Sequence, residues 1–203
     1  MKKNVFAMVA GFCLDMAFGD PAALPHPICW IGNLIEKTEK NIRNCIPSTK
    51  KAEKCGGFFL ICVILLLSLS IPAIFLYFIG FLGAIPLFLA KAVICWYMLA
   101  AKSLKKESMA VYEALKQNHL KKARNAVSRI VGRDTQNLTR EGVTKAAVET
   151  VAENTSDGVV APLFYMTFFG ALGGVFYKAV NTMDSMVGYK NEKYIHFGAY
   201  PAK

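Results

Sequence analysis

Apolar positions in this chain gather into long uncharged stretches separated by blocks dense in charge. Residues 56–90 are 35 successive positions without a charge, and residues 92–101 continue the run beyond Lys91. A membrane-crossing helix needs about 20 apolar residues, so this length predicts a helical hairpin, divided between Pro72 and Gly83. Residues 159–177 add 19 uncharged positions, interrupted by Pro162, Gly170, Gly173 and Gly174. Such a segment either crosses completely or breaks and returns to the same side, which is tolerated where the backbone is buried in protein. At the N-terminus, Lys2 and Lys3 precede Val5, Phe6, Met8, Val9, Phe12 and Leu14, the outline of a signal peptide. Asp15 inside that apolar region and the lack of a small-x-small cleavage site favour a retained helix instead. A carboxylate there is costly against lipid, so Asp15 is expected to face protein, water or a substrate cavity.

The remaining segments carry helical periodicity with charge. In residues 28–43, Trp30, Ile31, Leu34, Ile35 and Thr38 recur at helical spacing while Glu36, Lys37, Glu39 and Lys40 fall elsewhere, predicting an amphipathic helix along a membrane surface. Before it, three prolines within seven residues, Pro21, Pro25 and Pro27, predict a rigid loop that fixes His26. That histidine is open to two readings, an exposed loop residue or a phosphate-binding or acid-base group. Residues 102–145 read as two or three surface helices interrupted at Val131-Gly-Arg-Asp-Thr-Gln-Asn-Leu. In that turn Asp134 or Thr135 is expected to cap the next helix, and Arg133 to grip a phosphate or pair with a carboxylate.

Composition agrees with a membrane protein: 54% of the 203 residues are hydrophobic and 19% charged. The 24 Lys and Arg exceed the 14 Asp and Glu, giving a formal charge of +10. Residues 36–54 hold six bases and three acids, and residues 102–145 eleven bases and four acids. Both flank the predicted hairpin, so the positive-inside rule places both in the cytoplasm. Anionic lipid or an anionic substrate accounts for this charge better than nucleic acid, for which no binding signature is present. The six cysteines are scattered without a CxxC pair, so neither zinc nor a disulfide framework is indicated.

The densest candidate chemistry is Ala146-Ala-Val-Glu-Thr-Val-Ala-Glu-Asn-Thr-Ser-Asp-Gly158, which leads into the last apolar run. Glu149 and Glu153 stand four apart, one above the other on a helix, and Asp157 continues the line if the helix lasts. With Asn154 they form an oxygen-rich set suited to a hard cation such as magnesium, whose charge would remove their mutual repulsion. The same stripe also reads as a solvated acidic face capped by Ser156 and Gly158. Farther on, Asn181 and Asp184 are three apart and could form a second polar site facing the first, or simply the polar end of a membrane helix.

Four stretches resemble the CobD/CbiB family of cobalamin-biosynthesis membrane proteins, the adenosylcobinamide-phosphate synthases. They are Leu14-Asp-Met-Ala-Phe-Gly-Asp-Pro with Leu24-Pro-His-Pro and Trp30-Ile-Gly; Ile130-Val-Gly-Arg-Asp-Thr; Ala147-Val-Glu-Thr-Val-Ala-Glu-Asn-Thr-Ser-Asp-Gly-Val-Val-Ala-Pro-Leu-Phe; and Tyr177-Lys-Ala-Val-Asn-Thr-Met-Asp-Ser-Met-Val-Gly-Tyr-Lys-Asn-Glu-Lys-Tyr with His196-Phe-Gly. The resemblance runs from end to end. It implies an ATP-dependent ligase that joins a propionate carboxyl of adenosylcobyric acid to aminopropanol or its O-phosphate. In that reading Glu149, Glu153 and Asp157 hold magnesium with Asn154 orienting them, and Arg133, Lys178 and Lys190 contact phosphate near Asn181. Asp134 or Asp184 takes the amine proton, while Asp15, Asp20 and His26 bind the aminopropanol end.

The resulting expectation is an all-α, polytopic helical membrane protein with cytoplasmic-face helices and broken or re-entrant segments. Residues 1–203 form one integral-membrane domain, with apolar segments at about 4–19, 57–79, 80–101 and 159–177 and a cytoplasmic helical region at about 102–158. It sits as a multi-pass protein in the inner (cytoplasmic) cell membrane, its active site on the cytoplasmic side, in contact with lipid and with other cobalamin-assembly membrane enzymes. No GxxxxGK[ST] loop is present, so ATP use follows from the resemblance. Family members are expected to continue past His196-Phe-Gly with further acidic and membrane segments, so the chain is read as truncated. A non-catalytic corrinoid-binding or transport protein is the alternative. A lipid-type phosphotransferase is weighed against, because the residues after Asp157-Gly158 lack the expected Ala-Arg and later Asp pairs.

Overall fold

A long apolar run can satisfy its own amides only by bonding within the segment, and that condition selects the helix. The computed structural model describes residues 2–20 and 26–202. In these residues the chain forms α1 (Lys2–Phe18), α2 (Pro27–Cys45), α3 (Lys50–Gly80), α4 (Ala84–Tyr97), α5 (Ala101–Lys116), α6 (Leu120–Val127), α7 (Arg140–Thr155), α8 (Ala161–Phe169) and α9 (Ala171–Val187). A π-helical turn, Ser156–Val160, joins α7 to α8, and a 3-10 turn, Phe197–Ala199, follows α9. No strand occurs among the described residues. Most of the proline-rich loop expected before α2 lies outside them.

Local chemistry sets the helix ends. His26 caps α2, its Nδ1 accepting from the Ile28 amide at 3.2 Å, and Pro27 follows at the first helical position, where its missing N–H costs nothing. Thr139 caps α7 by accepting from the Gly142 amide at 3.1 Å. The sequence placed that cap at Asp134 or Thr135; instead the Asp134 carboxylate accepts from the Gln136 amide at 2.9 Å within the turn, and the buried Thr135 hydroxyl donates to the Arg124 carbonyl. α3 runs through Pro72 without ending. The hairpin break falls at residues 81–83, where Gly83 takes φ 114°, a conformation that side chains disfavour.

Contacts along the helices give the chain directions. α1 runs parallel to α4: Asn4 meets Lys91, Gly11 lies against Cys95, and Asp15 meets Ala101. α2 runs antiparallel to α3, with Ile42 beside Gly56 and Arg43 facing Glu53. The uncharged run 159–177 is broken by Gly170 (φ 67°) into the α8–α9 hairpin. Three apolar clusters hold these units. Ile31, Ile35, Leu60, Ile64, Met183 and Phe197 join α2, α3, α9 and the last turn; Val111, Ala123, Val127 and Val143 tie α5, α6 and α7 together; Cys95, Met98, Leu99, Met166 and Val175 join α4 to the α8–α9 hairpin. Each fully buried Leu, Ile or Phe contributes about 1.5–3 kcal/mol relative to exposure.

Among the described residues two stretches, Lys50–Gly80 and Ala84–Lys116, are long and apolar enough to cross a membrane by length and composition. The outer faces of α3 and α4 expose Leu66, Ile71, Ile74, Tyr77, Phe78, Ile85 and Leu89. So large an apolar surface marks contact with something other than water.

Candidate functional site

The site is built around the first turns of α5. Asp15, fully buried at the end of α1, turns Oδ2 to the Ala101 amide at 2.8 Å and the Lys102 amide at 3.3 Å. It therefore caps α5 from another helix, supplying the acceptor that Ala100 lacks. Its other oxygen, Oδ1, has no hydrogen-bond partner among the described residues. The Ala100 amide donates to the Gly158 carbonyl at 3.1 Å, sewing the start of α5 to the π-helical turn. The Asp20 amide donates to Ser103 Oγ at 3.3 Å. His26 Nε2 stands 3.7 Å from Asp20 Oδ1, and the His26 ring meets Tyr97 edge-on at 5.5 Å.

Beside these groups lies a cleft of about 230 Å³. Ser103 and Glu107 enter it from α5, Asn154 and Asp157 from the end of α7 and the π-helical turn, and Lys178 and Asn181 from α9. Lys178 is 7% exposed; its Nζ reaches the Asp157 carbonyl at 3.5 Å. The Tyr177 hydroxyl donates to Asp157 Oδ1 at 2.9 Å. Asp20 also feels the charge of Lys178, which lines the cleft. Residues far apart in the chain thus meet at one place.

The Asp20 carboxyl is held below its usual value, chiefly by the neighbouring His26 ring, with Ser103 adding to the effect and burial opposing it. A depressed folded value means that Asp20 contributes stability above its unfolded value of 3.8 and loses it as pH falls through the lower folded value. Asp20→Asn is therefore expected to flatten the loss of stability below about pH 4 while leaving neutral stability lower than in the parent. Acid titration of the unfolding midpoint checks this, and an unchanged acid limb would count against it.

The acidic stripe divides. After Thr155 the backbone widens to a π turn, the Ala161 amide bonding the Ser156 carbonyl; Asp157 in that turn lines the cleft, whereas Glu149 and Glu153 do not. Glu149 and Glu153 are exposed. Glu149 pairs with Arg133 at 3.3 Å and Lys145 at 3.8 Å; exposed pairs of this kind contribute at most about 1 kcal/mol. Arg133 thus meets a carboxylate. Asp134 stays in the exposed α6–α7 turn and Lys190 in the exposed segment after α9. Asp184 is half-buried one turn beyond Asn181, outside the lining of the cleft. Among the described residues no group of three or more His, Cys, Asp or Glu is arranged to hold a metal ion.

Sequence reasoning did not single out Ser103, Glu107 or Tyr177. The first two sit in a lysine-rich helix whose pattern reads as solvated surface, and Tyr177 closes a run read as apolar. Asp15 was the one visible signal for the α5 end of the site, since a carboxylate inside an apolar helix requires a partner.

Residues 8–203 match the family described as CobD/Cbib protein. The chain is 45% identical over 196 residues to a protein of Clostridium tetani described as cobalamin biosynthesis protein CobD, covering 97% of this chain and 61% of that one. A Geobacter metallireducens protein of the same description is 47% identical over 194 residues, covering 91% of this chain and 57% of its own length. A third, from Clostridium perfringens, is 41% identical over 196 residues. The chain therefore spans about three fifths of the curated relatives it matches. No solved structure matches it. With nearly the whole chain aligned at this identity, the chain belongs to the CobD/CbiB family of cobalamin-biosynthesis proteins.

Proposed function

We propose that this protein is an ATP-dependent amide ligase that joins a propionate carboxyl of adenosylcobyric acid to aminopropanol or its O-phosphate. It does so as a multi-pass protein of the cytoplasmic membrane, with the cleft on the cytoplasmic side. The observation that carries the reading is the convergence of a buried ammonium, two carboxylates, two amides and a hydroxyl, from α5, the end of α7 and α9, on one cleft. Membership of a cobalamin-biosynthesis family supplies the substrate class. The two basic segments flanking the α3–α4 hairpin support the side of the membrane.

A carboxylate resists attack by an amine, so it must first acquire a leaving group. A propionate oxygen attacks the γ-phosphorus of ATP, ADP departs, and an acyl phosphate results; the amine then attacks the acyl carbon and phosphate leaves. Lys178, held out of water, is suited to neutralise the transferring phosphoryl group, because a charge acts more strongly in a low-dielectric site. Ser103, whose hydroxyl supports the Asp20 carboxylate, edges the same space, and the Asn154 and Asn181 amides can orient oxygen atoms of either substrate. His26 uses Nδ1 to accept from Ile28, which leaves Nε2 for Asp20. Asp20, whose carboxyl is held low beside His26, can hold the ammonium end of the incoming amine, and the departing phosphate can take the proton that the attacking amine releases.

Magnesium is judged by the donor set. Of the two cleft carboxylates, Glu107 is paired with Arg129; Asp157 with the Asn154 amide does not make a cage of its own, yet it fits a magnesium ion that arrives on the nucleotide, since that ion is typically bound by one or two carboxylates plus substrate phosphates. When bound, the ion would draw charge from the phosphate oxygens.

The direct test mixes detergent-purified protein with adenosylcobyric acid, magnesium-ATP and each amine, and follows the amide product by mass spectrometry, with the Clostridium tetani relative in parallel. Product supports the ligase. No product from folded protein that still binds the corrinoid, beside an active relative, favours a binding role for this chain.

A further inference from the structure

We infer that Tyr177 is the positioning residue that fixes the Asp157 carboxylate in the cleft, so that Tyr177 and the π-helical turn select Asp157, rather than Glu149 or Glu153, as the oxygen ligand for a divalent cation carried by the nucleotide. This rests on the nucleotide-binding part of the reading above. Tyr177 is 5% exposed, and a phenol hydroxyl so buried must find a partner. Its O–H donates to Asp157 Oδ1 at 2.9 Å, while its ring packs at 5.2 Å on Tyr165 across the α8–α9 hairpin, leaving the hydroxyl little freedom. The next residue, Lys178, reaches the Asp157 carbonyl. Consecutive residues of α9 therefore grip the side chain and the main chain of the same aspartate.

The π-helical turn completes the device. Its hydrogen bonding is poorer than that of an α-helix, and single π turns are kept mostly where function needs them. Here it ends the α-helical register that leaves Glu149 and Glu153 exposed. A hydrogen bond to a ligating carboxylate orients its free lone pairs, and loss of such a support typically weakens metal affinity by about 10- to 100-fold.

Tyr177→Phe keeps the ring and removes the hydroxyl. Binding of Mn2+ to the detergent-purified protein in the presence of ATP, followed by electron paramagnetic resonance, is expected to weaken by about 10-fold or more, with the melting temperature held close to that of the parent. In an Asp157→Asn background the same change is expected to add nothing, because Tyr177 acts through Asp157. The proposal is overturned if wild-type protein binds no Mn2+ with ATP, if Tyr177→Phe binds it as wild type does, or if the Phe change weakens binding equally in both backgrounds. Mn2+ binding that depends on Tyr177, without any amide product, would sink the ligase reading and leave the proposal standing; product formation with no effect of Tyr177→Phe on binding would do the reverse.

Discussion

Asp157→Asn is expected to lower amide formation by about 100-fold or more, while Glu153→Gln leaves it within about threefold. Asparagine has nearly the size of aspartate and its carbonyl oxygen can still accept from Tyr177, so the change removes charge with little disturbance of packing. What is lost is the Asp157 carboxylate, on which both the nucleotide's cation and the charge balance around Lys178 depend in the proposed chemistry. Glu153 is exposed and outside the cleft lining, and surface substitutions of that kind usually shift stability by no more than about 0.5 kcal/mol. Initial rates of product formation, with near-ultraviolet circular dichroism to establish folding, separate the two. Equal losses in both variants would return the site to the outer face of α7.

That contrast marks where the sequence was readable and where it was not. All-helical character was legible in the uncharged runs, because an apolar segment of such length has few other ways to satisfy its backbone. Gly170 broke the last run where glycine content allowed a break, and Asp15 faces protein because a carboxylate in an apolar helix has few inexpensive alternatives. The division of the acidic stripe was not legible. Spacing arguments assume 3.6 residues per turn, and nothing in Ser156-Asp-Gly-Val-Val announces that the turn will widen there. Ser103 was hidden for a different reason: its role depends on the approach of Asp20 across 83 positions of chain, and no local pattern encodes that approach. Arg133 was left between phosphate and carboxylate because its motif suits either; in the fold Glu149 is 3.3 Å away.

Gly57→Ala is expected to cost about 3 kcal/mol of stability, a large change for one methyl group. A Cβ at Gly57 would fall on the Phe197 carbonyl oxygen, and one at Gly198 on the Val187 carbonyl oxygen. These are backbone atoms, so no rotamer change relieves the overlap. The last turn would have to retreat from α3, drawing the fully buried Phe197 away from Leu60, Ile64 and Ile35. It cannot retreat freely, because a second set of bonds holds the same segment to α2. Arg43 donates to the Lys193 carbonyl at 2.8 Å and to Glu39 at 2.8 Å, the Tyr194 hydroxyl donates to Glu39 at 3.2 Å, and the Arg43 guanidinium lies 4.4 Å from the centre of the Phe197 ring. Glu39 is only 8% exposed, so breaking that set strands a buried carboxylate. At roughly 2–4 °C per kcal/mol for a chain of this size, the midpoint of thermal unfolding should fall by about 6–12 °C. Gly132→Ala, with open space around the position, should leave it nearly unchanged. An unaltered midpoint for Gly57→Ala would mean that the last turn does not seat Phe197 against α3, and the anchoring of everything that follows α9 would have to be sought elsewhere.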